Sequence, residues 1–349
     1  MSFDVRVVHS VQEVGQEAWD GLSGGVPFAS YQWYRFGEVV LAEDLPIYLI
    51  LSSAGEPVAR ATFWLKRQET LPISSRLLRG FVASVLSRWP LLACRSPLSS
   101  TSGLVLPASP LRDHALKAIL RHAQNLVHQY GVSVLLFDYL DREVLDWPVW
   151  PDAFVTVPDL HPGTCLALCW PDFDSYLSHL DKKQRYNVRR NYRLVAEEGI
   201  EIKPYRTVLD VDRAMELHQR VNARYRSPTD PWMRRAMEHA GMVDAIWLAA
   251  EQGERLVGCE LMLGDGDAWF VMGLGLDHSV KNVYFALGYE DIRCALERGA
   301  QTLRWGTGTY EVKRRLGFKT ENTSNLVFGS RWPWLQSLGR WLVKNGLSD

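Results

Sequence analysis

Two stretches of the chain share one pattern of apolar and polar positions. The first, IYLILSSAGEPVARATFWL, begins at Ile47, and the second, IWLAAEQGERLVGCELML, begins at Ile246. Each has an apolar run, a Gly-Glu pair and a second apolar run, and this order predicts a β-hairpin. Two hairpins of the same layout, far apart in the chain, indicate an internal repeat.

A second pair of matching segments lies downstream of the hairpins. ALKAILRHAQNLVHQYGVSVLLFDYL and ALGYEDIRCALERGAQTLRWGTG each have apolar residues at helical spacing, then a glycine, then a short apolar run. This order predicts a helix followed by a buried strand. The chain is therefore predicted to hold two copies of one α/β unit, in domains over residues 1–160 and 161–330, as its 349 residues allow.

Two amphipathic segments lie outside the repeated pattern. The first copy is longer between hairpin and helix, and its excess residues predict an insertion over residues 71–100. Apolar residues from Leu77 to Trp89 form one helical stripe in this insertion, flanked by arginines. The tail, residues 331–349, has a similar stripe. Two interpretations stay open for both helices: packing on their own domain, or lying on a membrane or lipid surface.

Composition narrows the class of protein. Hydrophobic residues make up 47% and charged residues 23% of the chain, which is typical of a globular protein. A formal net charge of −1 argues against a general nucleic-acid coat protein, although local basic patches remain relevant. The N-terminus lacks a secretory pattern, so we expect a cytoplasmic protein, with the inner face of the membrane as an open alternative. Five scattered cysteines predict reduced thiols, and we expect no metal site.

Two motifs in the second copy carry the candidate chemistry. DKKQRYNVRRNYRLVAEEGIEI predicts a basic helix, within residues 173–198, that ends in a glycine before a strand. LRWGTGTYEVKRRLGF combines a strand, a glycine-rich turn and a Tyr-x-x-Lys-x-x-x-Gly-Phe sequence, and the run SNLVFGS predicts a final strand of the same copy. The first-copy counterpart, DYLDREVLDW, has neither the glycines nor the Tyr-x-x-Lys spacing. We therefore expect the chemistry in the second copy.

These motifs resemble those of GNAT acyltransferases, and the doubled arrangement resembles the FemAB-like acyltransferases, over most of the chain. The resemblance implies an α/β fold of two tandem GNAT-like domains, each a mixed, mainly antiparallel sheet flanked by helices. It also implies an N-acyltransferase. The acyl group, acetyl, longer acyl or aminoacyl, would come from acyl-CoA, an acyl carrier protein or aminoacyl-tRNA. The acceptor would be an amine of an amino sugar, a peptide or a lipid-linked precursor.

The sequence departs from the family pattern in two places. Arg304 stands where relatives often have an acidic residue, and HSVKNVYFAL replaces the GNAT pyrophosphate loop, which FemAB-like members commonly lack. The departures keep a second function open, a non-catalytic binding module that docks a partner or a membrane.

Four residues are candidates for catalysis. By the resemblance, Lys313 is the family's functional lysine, placed to bind a phosphate or an oxyanion, and Tyr310 belongs to the same motif. Glu260 shares a strand face with Gly258 and Met262, so it is a candidate half-buried base. His278 ends the next strand and is a candidate proton relay. A solvated lysine, an exposed glutamate and a structural histidine are the alternatives.

The candidate binding residues lie on the basic helix, in the glycine turn and near the cleft. Lys182, Arg185, Arg189 and Arg193 step by 3, 4 and 4 along one helix flank and would contact the phosphate of a nucleotide, a tRNA or a lipid pyrophosphate, or form plain surface. Leu177, Leu180, Val188 and Val195 would form the buried stripe. Gly306 and Gly308 permit close approach of backbone N–H groups to an anion. Asn222, Tyr225 and Tyr284 are candidate hydrogen-bond partners of an acyl carbonyl.

Overall fold

The structure, a computed structural model, describes residues 3–69, 80, 84–159, 161–227 and 230–329. Two compact units divide the chain: residues 1–160 with 322–349, and residues 161–321. The predicted tail helix, residues 331–349, and most of residues 71–83 lie outside the described residues. No helix among the described residues is long and apolar enough to cross a membrane.

The first unit is built on an eight-stranded sheet of order β1-β2-β3-β4-β6-β15-β7, with β5 paired to β3. All of its pairings are antiparallel except β4 with β6. Its helices, α1 to α4, follow the first strand or connect later ones. The bounds are β1 Asp4–Val8, α1 Gln16–Ser23, α2 Tyr31–Val40, β2 Leu45–Ser53, β3 Glu56–Lys66, β4 Leu91–Cys94, β5 Leu104–Val105, α3 Leu111–Gln129, β6 Val134–Asp141, α4 Arg142–Leu145, β7 Val155–Pro158 and β15 Thr323–Gly329.

The second unit is built on a seven-stranded sheet of order β14-β8-β13-β12-β11-β10-β9. Here too one pair is parallel, β12 with β13, and the other pairs are antiparallel. The bounds are β8 Thr164–Ala167, α5 Phe173–His179, α6 Lys182–Glu197, β9 Ile200–Tyr205, α7 Val211–Tyr225, α8 Met233–His239, β10 Asp244–Gln252, β11 Arg255–Asp265, β12 Ala268–Leu276, α9 Val283–Glu297, β13 Thr302–Trp305, α10 Tyr310–Arg315 and β14 Lys319–Thr320.

The repeat predicted from the apolar pattern is confirmed. Both predicted hairpins form, as β2–β3 and β10–β11, and their turns use Gly55 at φ +89° and Gly253 at φ +62°. Both predicted helices, α3 and α9, are followed by a glycine with positive φ, Gly131 and Gly299, which is the usual way to end a helix before a strand. The fold class is also confirmed, since each unit is a mixed, mainly antiparallel sheet flanked by helices.

One strand lies in a different unit from the one predicted. The run SNLVFGS was expected to end the second copy, but β15 pairs with β6 and β7 of the first sheet. Leu326 is buried in the first unit's core, and the Asn325 side chain accepts a hydrogen bond of 3.0 Å from the Tyr139 N–H. β15 therefore belongs with the first unit, because a strand's partner is chosen by long-range pairing that its own sequence does not encode.

The predicted insertion is also corrected. Residues 84–88 are helical, but Leu91–Cys94 form β4, whose four residues are all buried. β4 is the parallel neighbour of β6, as β12 is of β13, so it is part of the repeated sheet. β4 is therefore not part of an insertion.

The predicted basic helix over residues 173–198 is two helices. Asp181 interrupts it, because its carboxylate accepts a hydrogen bond of 2.7 Å from the Gln184 N–H while the Gln184 side chain contacts the Asp181 N–H. In this reciprocal arrangement, a capping box, the Asp181 N–H donates to the Gln184 side-chain oxygen, and the box starts a new helix at Lys182. Of the predicted apolar stripe, Leu180, Val188 and Val195 are buried, and Leu177 packs against the same core while partly buried.

Candidate active site

The candidate site lies in the second unit, where the parallel strands β12 and β13 part. Their last paired residues are Val271 and Trp305. Beyond this point β12 continues to Leu276, whereas the chain leaves β13 through the turn of residues 306–309 into α10. Strands that part in this way open a cleft at the sheet, and the candidate residues of β11, α9 and α10 lie beside it.

Lys313 is buried, with only 5% of its surface exposed. Its ammonium donates one hydrogen bond to the Gly306 carbonyl and one, of 3.2 Å, to the Thr307 carbonyl. A lysine ammonium has three hydrogens, so these two carbonyls leave one of them unused. Burial lowers the pKa of Lys313 to about 8, against an opposing effect of Glu260. Lys313 is therefore not the solvated lysine that the sequence left as an alternative.

Glu260 is buried as well, at 9% exposure. It sits on β11 at an irregularity, because the pairing with β12 shifts between Cys259 and Leu261 and leaves Glu260 without a register partner there. Bulges of this kind redirect a side chain out of the regular alternation and occur next to active sites. Burial raises the pKa of Glu260 to about 7, although Asp291 and Lys313 act in the opposite direction. The exposed-glutamate alternative is thereby excluded.

Asp291 is the residue of this cluster that the sequence analysis missed. It lies on α9, is fully buried, and its carboxyl interacts electrostatically with that of Glu260. Neither carboxyl oxygen of Asp291 has a hydrogen-bond partner among the described residues. Burial, and then the neighbouring Glu260, raise the pKa of Asp291 well above its usual range. The signal available in the sequence was an acid within the apolar stripe of α9, between Leu287 and Ala295.

Trp305 brings strand β13 against this carboxyl pair. Its indole interacts with the Asp291 carboxyl and lowers the pKa of that group against the stronger effect of burial. The ring stacks on Phe318 at 4.2 Å between centroids. Gly288 permits this approach, because a Cβ there would lie 2.7 Å from the indole ring. The absence of a side chain at Gly288 thus lets the indole approach Asp291.

The glycine turn presents carbonyls to Lys313. Gly308 has φ +79° and Thr309 has φ +46°, whereas Gly306 does not need a positive φ. In the structure the carbonyls of Gly306 and Thr307 hold the lysine. The predicted contact of the turn's N–H groups with an anion stays a prediction. Tyr310, predicted as catalytic, donates its hydroxyl to the Pro162 carbonyl at 3.0 Å and so anchors the start of α10.

Tyrosine and asparagine side chains surround the buried cluster. The Tyr284 and Thr309 hydroxyls are 3.0 Å apart, and burial raises the pKa of Tyr284 to about 12. The Asn222 amide donates a hydrogen bond of 3.0 Å to Nε2 of His218, a residue that the sequence analysis did not select. Nδ1 of His218 in turn lies 3.0 Å from the Leu274 carbonyl, so the ring is held between β12 and Asn222 and orients the amide.

His278 follows β12, in a turn that Asp277 organises. Asp277 accepts hydrogen bonds from the Ser279 N–H at 3.0 Å and from its hydroxyl at 2.7 Å, and these bonds hold the pKa of Asp277 down at about 2. Tyr225 is 61% exposed, and its ring centroid lies 6.5 Å from that of His278. Within the described residues His278 has no hydrogen bond to Glu260 or Lys313, so its proposed relay stays a prediction.

With this geometry known, the comparisons with other proteins identify the family. A sequence profile of the FemAB-like family, described as peptidoglycan biosynthesis/recognition, matches residues 10–345. The chain belongs to the FemAB-like family. No curated protein sequence matches this FemAB-like protein.

Solved structures share the fold of this FemAB-like protein. The crystal structure of FemX has a TM-score of 0.65 at 12% identity and covers 96% of this chain and 100% of that chain. The C-terminal domain of a putative lysylphosphatidylglycerol synthetase from Agrobacterium fabrum has a TM-score of 0.56 at 10% identity, covering 95% and 97%. A tandem GNAT protein from the clavulanic acid biosynthesis pathway has a TM-score of 0.52 at 12% identity, covering 93% and 98%.

The four candidate bases on the basic helix α6 of this FemAB-like protein differ in their contacts. Arg185 bonds the Leu180 carbonyl, and at 3.0 Å the Ser178 carbonyl, so it caps α5 instead of facing a ligand. Arg193 lies 3.6 Å from Glu197 as an exposed ion pair. Lys182 and Arg189 are exposed and form no ion pair with the described residues. Arg185 is thus engaged at the end of the preceding helix, and the phosphate contact predicted for this flank stays a prediction.

Within the part of the chain that the structure describes, no group of three or more histidine, cysteine or acidic side chains is arranged to hold a metal ion. Asp291, Glu260 and Lys313 are instead the charged groups buried together on three elements of the second unit. Arg304, the departure from the family pattern, lies away from them and pairs with Glu321 at 3.1 Å.

Proposed function

We propose that the second unit transfers an acyl or aminoacyl group from an activated ester or thioester to an amine. One observation carries the proposal: the Lys313 ammonium is buried, is held by two turn carbonyls, and interacts electrostatically with the buried carboxyl of Glu260. A fixed donor in a dry cleft is the kind of group that stabilises charge developing on a carbonyl oxygen. Membership of the FemAB-like family supports this reaction class.

The chemistry follows from these groups. The amine attacks the carbonyl carbon, a C–N bond forms, and the carbonyl electrons move to oxygen, which accepts the third Lys313 hydrogen bond. Glu260 accepts the proton that the amine releases. The C–O or C–S bond to the leaving group then breaks, and the leaving group takes up a proton. The reaction needs no covalent intermediate on the protein.

Several donors and acceptors remain compatible with this site. Acyl-CoA, an acyl carrier protein and aminoacyl-tRNA all supply an activated acyl group. Amino sugars, peptides and lipid-linked precursors all supply an amine. The names of FemX and of the putative lysylphosphatidylglycerol synthetase favour an aminoacyl donor, and the tandem GNAT protein favours acyl-CoA. A cytoplasmic location, including the inner face of the membrane, would give access to each.

Purified protein tests the proposal directly. Acetyl-CoA, a long-chain acyl-CoA and a mixture of aminoacyl-tRNAs are each combined with UDP-linked amino sugars and with a lysine-containing peptide, and new amides are sought by mass spectrometry. We expect one donor to give product and to raise the melting temperature. The matched control is Lys313→Met, which should give no product above background. Absence of product and of thermal stabilisation with every donor would favour the binding module instead.

A further inference from the structure

The turn over residues 306–309 carries the two carbonyls that hold Lys313, so whatever fixes this turn also fixes the ammonium. Its first end is fixed by the sheet, because Trp305 is paired in β13 and its carbonyl accepts a hydrogen bond of 3.1 Å from the Thr164 hydroxyl. Its second end is Thr309, which lies outside the sheet and is exposed. The position of the ammonium therefore depends on what holds Thr309.

Thr309 has a backbone conformation that a threonine adopts only under constraint. Its φ of +46° lies in the left-handed region, which is unfavourable for a β-branched side chain and which a glycine enters freely. Gly308, directly before it, has φ +79°, so the turn does place a glycine where the backbone needs one. Strained residues persist where their surroundings determine the backbone. A threonine at this position therefore indicates a use for its hydroxyl.

The Thr309 hydroxyl does not take the capping role that a threonine usually has at a helix start. Thr309 precedes α10, but its side chain makes no hydrogen bond to the first N–H groups of that helix. Its carbonyl accepts hydrogen bonds from the N–H groups of Val312 at 3.0 Å and of Lys313 at 3.2 Å. Its hydroxyl lies 3.0 Å from the hydroxyl of Tyr284, on α9. Thr309 thus joins α9 to the helix that carries Lys313.

Tyr284 stands on a firmly packed part of α9. It lies in the first turn of the helix, directly after Val283, which is buried against β11. The two elements approach closely there, because a Cβ at Gly258 of β11 would lie 2.5 Å from the Val283 side chain. The Tyr284 ring is partly buried and packs against the core of the second unit. Its hydroxyl is therefore a fixed point from which Thr309 can be held.

We propose that Tyr284 is a positioning residue, whose hydroxyl holds Thr309 and thereby the turn carbonyls that bind Lys313. This role differs from direct contact of Tyr284 with an acyl carbonyl, the contact predicted from the sequence. The bond between the two hydroxyls belongs to the protein without substrate. Its value for catalysis rests on the proposed acyl transfer, in which the ammonium stabilises the charge on the carbonyl oxygen.

The start of α10 has a second anchor, which separates positioning from folding. Tyr310 donates its hydroxyl to the Pro162 carbonyl at 3.0 Å, in the segment before β8. Tyr284 is instead bonded to the last residue of the turn. Loss of the Tyr284 hydroxyl should therefore leave α10 folded, because the bond from Tyr310 remains, while the turn gains freedom. The expected consequence is a displaced ammonium and not a lost helix.

Amide hydrogen exchange in the protein without substrate tests the anchor. Tyr284→Phe removes the hydroxyl and keeps the ring. We expect the first N–H groups of α10, which donate to the Thr309 carbonyl, to exchange about fivefold faster, as for the loss of one ordinary hydrogen bond. Thr309→Val should have the same effect, whereas Thr309→Ser keeps a hydroxyl and should exchange at the wild-type rate.

The matched control for the exchange measurement is Tyr289→Phe. Tyr289 lies on the same helix as Tyr284, but its hydroxyl accepts a hydrogen bond of 3.0 Å from α6 and not from the turn. This variant should leave exchange in α10 unchanged. Unchanged exchange in Tyr284→Phe or in Thr309→Val would overturn the proposal, and so would an equal increase in the control. The measurement needs no substrate, so its outcome is independent of whether the protein transfers acyl groups.

Once a donor is found, kinetics test how Tyr284 acts. We expect Tyr284→Phe to lower kcat about tenfold with KM nearly unchanged, a smaller loss than removal of the ammonium itself would cause. Thr309→Val should give the same fall, and the double variant should fall no further, because both changes break one bond. Thr309→Ser should keep the wild-type kcat.

A Lys313→Met background separates positioning from direct contact. If Tyr284 acts through Lys313, Tyr284→Phe should have no further effect on kcat once the ammonium is absent. A tyrosine that touched the acyl carbonyl itself would still lower kcat in that background, and Thr309→Val would not reproduce its effect. Either of these two results would overturn the positioning role.

Discussion

Each unit has one pair of parallel strands, and the charged residues at the ends of these strands differ between the two units. In the first unit the parallel strands β4 and β6 last pair at Cys94 and Phe137, and in the second unit β12 and β13 last pair at Val271 and Trp305. The next residues of the first pair, Arg95 and Asp138, form an ion pair of 2.7 Å across the strand ends. In the second unit the corresponding cleft holds Lys313, Glu260 and Asp291.

Charges in the first unit are matched by direct contacts. Arg95 also pairs with Glu69 at 2.9 Å, and Lys66 pairs with Glu69 at 3.5 Å and with Asp44 at 2.5 Å. In the second unit, Lys313 is held by carbonyls and forms no ion pair among the described residues, although it interacts electrostatically with Glu260. Matched charges stabilise a fold, whereas buried charges without a direct partner have altered proton affinities. The charges of the first cleft therefore stabilise the fold, whereas those of the second are the ones for which we propose a chemical role.

The largest expected effect is on the stability of the first unit. Arg95→Met leaves Asp138 and Glu69 without their main cation in a mostly buried site. We expect it to lower the free energy of unfolding by about 3–5 kcal/mol, measured by urea titration. The control is Arg314→Met, which breaks an exposed pair with Glu311 and should cost less than about 1 kcal/mol. A loss for Arg95→Met as small as that of the control would mean that the first cleft is not held by its charges.

The next effect concerns turnover in the second unit. Lys313→Met removes the ammonium proposed to face the carbonyl oxygen. We therefore expect the transition state to lose about 2.7–4 kcal/mol of stabilisation, and turnover to fall accordingly. The free energy of unfolding should change little, because methionine fills the same buried volume without the cost of an ammonium. Arg315→Met, on the same helix but exposed, should leave turnover unchanged. Equal kinetics in the two variants would remove the role assigned to Lys313.

The pH dependence of turnover tests the roles proposed for Glu260 and Lys313. The proposed reaction needs an ionised base and a protonated lysine, and the pKa of Glu260 is about 7 while that of Lys313 is about 8. We therefore expect a narrow bell-shaped profile of kcat with its maximum between these values. Activity should fall up to tenfold per pH unit outside them. A profile flat from pH 6 to 9 would contradict the assignment.

Stability should follow pH with a definite sign. Glu260 has a folded pKa raised above its unfolded value of 4.5, so its stabilising contribution is complete below about pH 4.5 and is lost as the pH rises through about 7. Glu260→Gln removes this dependence. The unfolding free energy of the wild type minus that of the variant should therefore decrease as the pH rises over that range. An increase would show that the carboxyl is ionised when folded.

The smallest effects concern the basic helix. Arg185→Gln removes hydrogen bonds to the carbonyls that end α5 and should cost about 1 kcal/mol of unfolding free energy. Arg189→Gln, at an exposed position of the same helix, should change it by less than about 0.5 kcal/mol. Urea titration of the two variants compares them directly, and equal costs would mean that Arg185 is not a cap.

Periodicity and turn chemistry in the sequence were enough to determine the local elements. The hairpins, the helices α3 and α9 and their terminal glycines follow from apolar spacing, because each depends on hydrogen bonds between residues near in the chain. The Tyr-x-x-Lys motif also located Lys313, and the absence of this motif from the first copy indicated that the chemistry lies in the second. The FemAB-like resemblance was visible in the same residues.

Only the tertiary structure decided which elements meet. β15 joins the first sheet, β4 lies inside the supposed insertion, and Asp291 meets Glu260 from another element, although 31 residues separate the two in sequence. Each outcome depends on long-range strand pairing or on burial, which no local pattern encodes. The lowered pKa of Lys313 also depends on the tertiary structure. Burial removes water from around the ammonium and lowers its pKa, an effect that the motif alone does not encode.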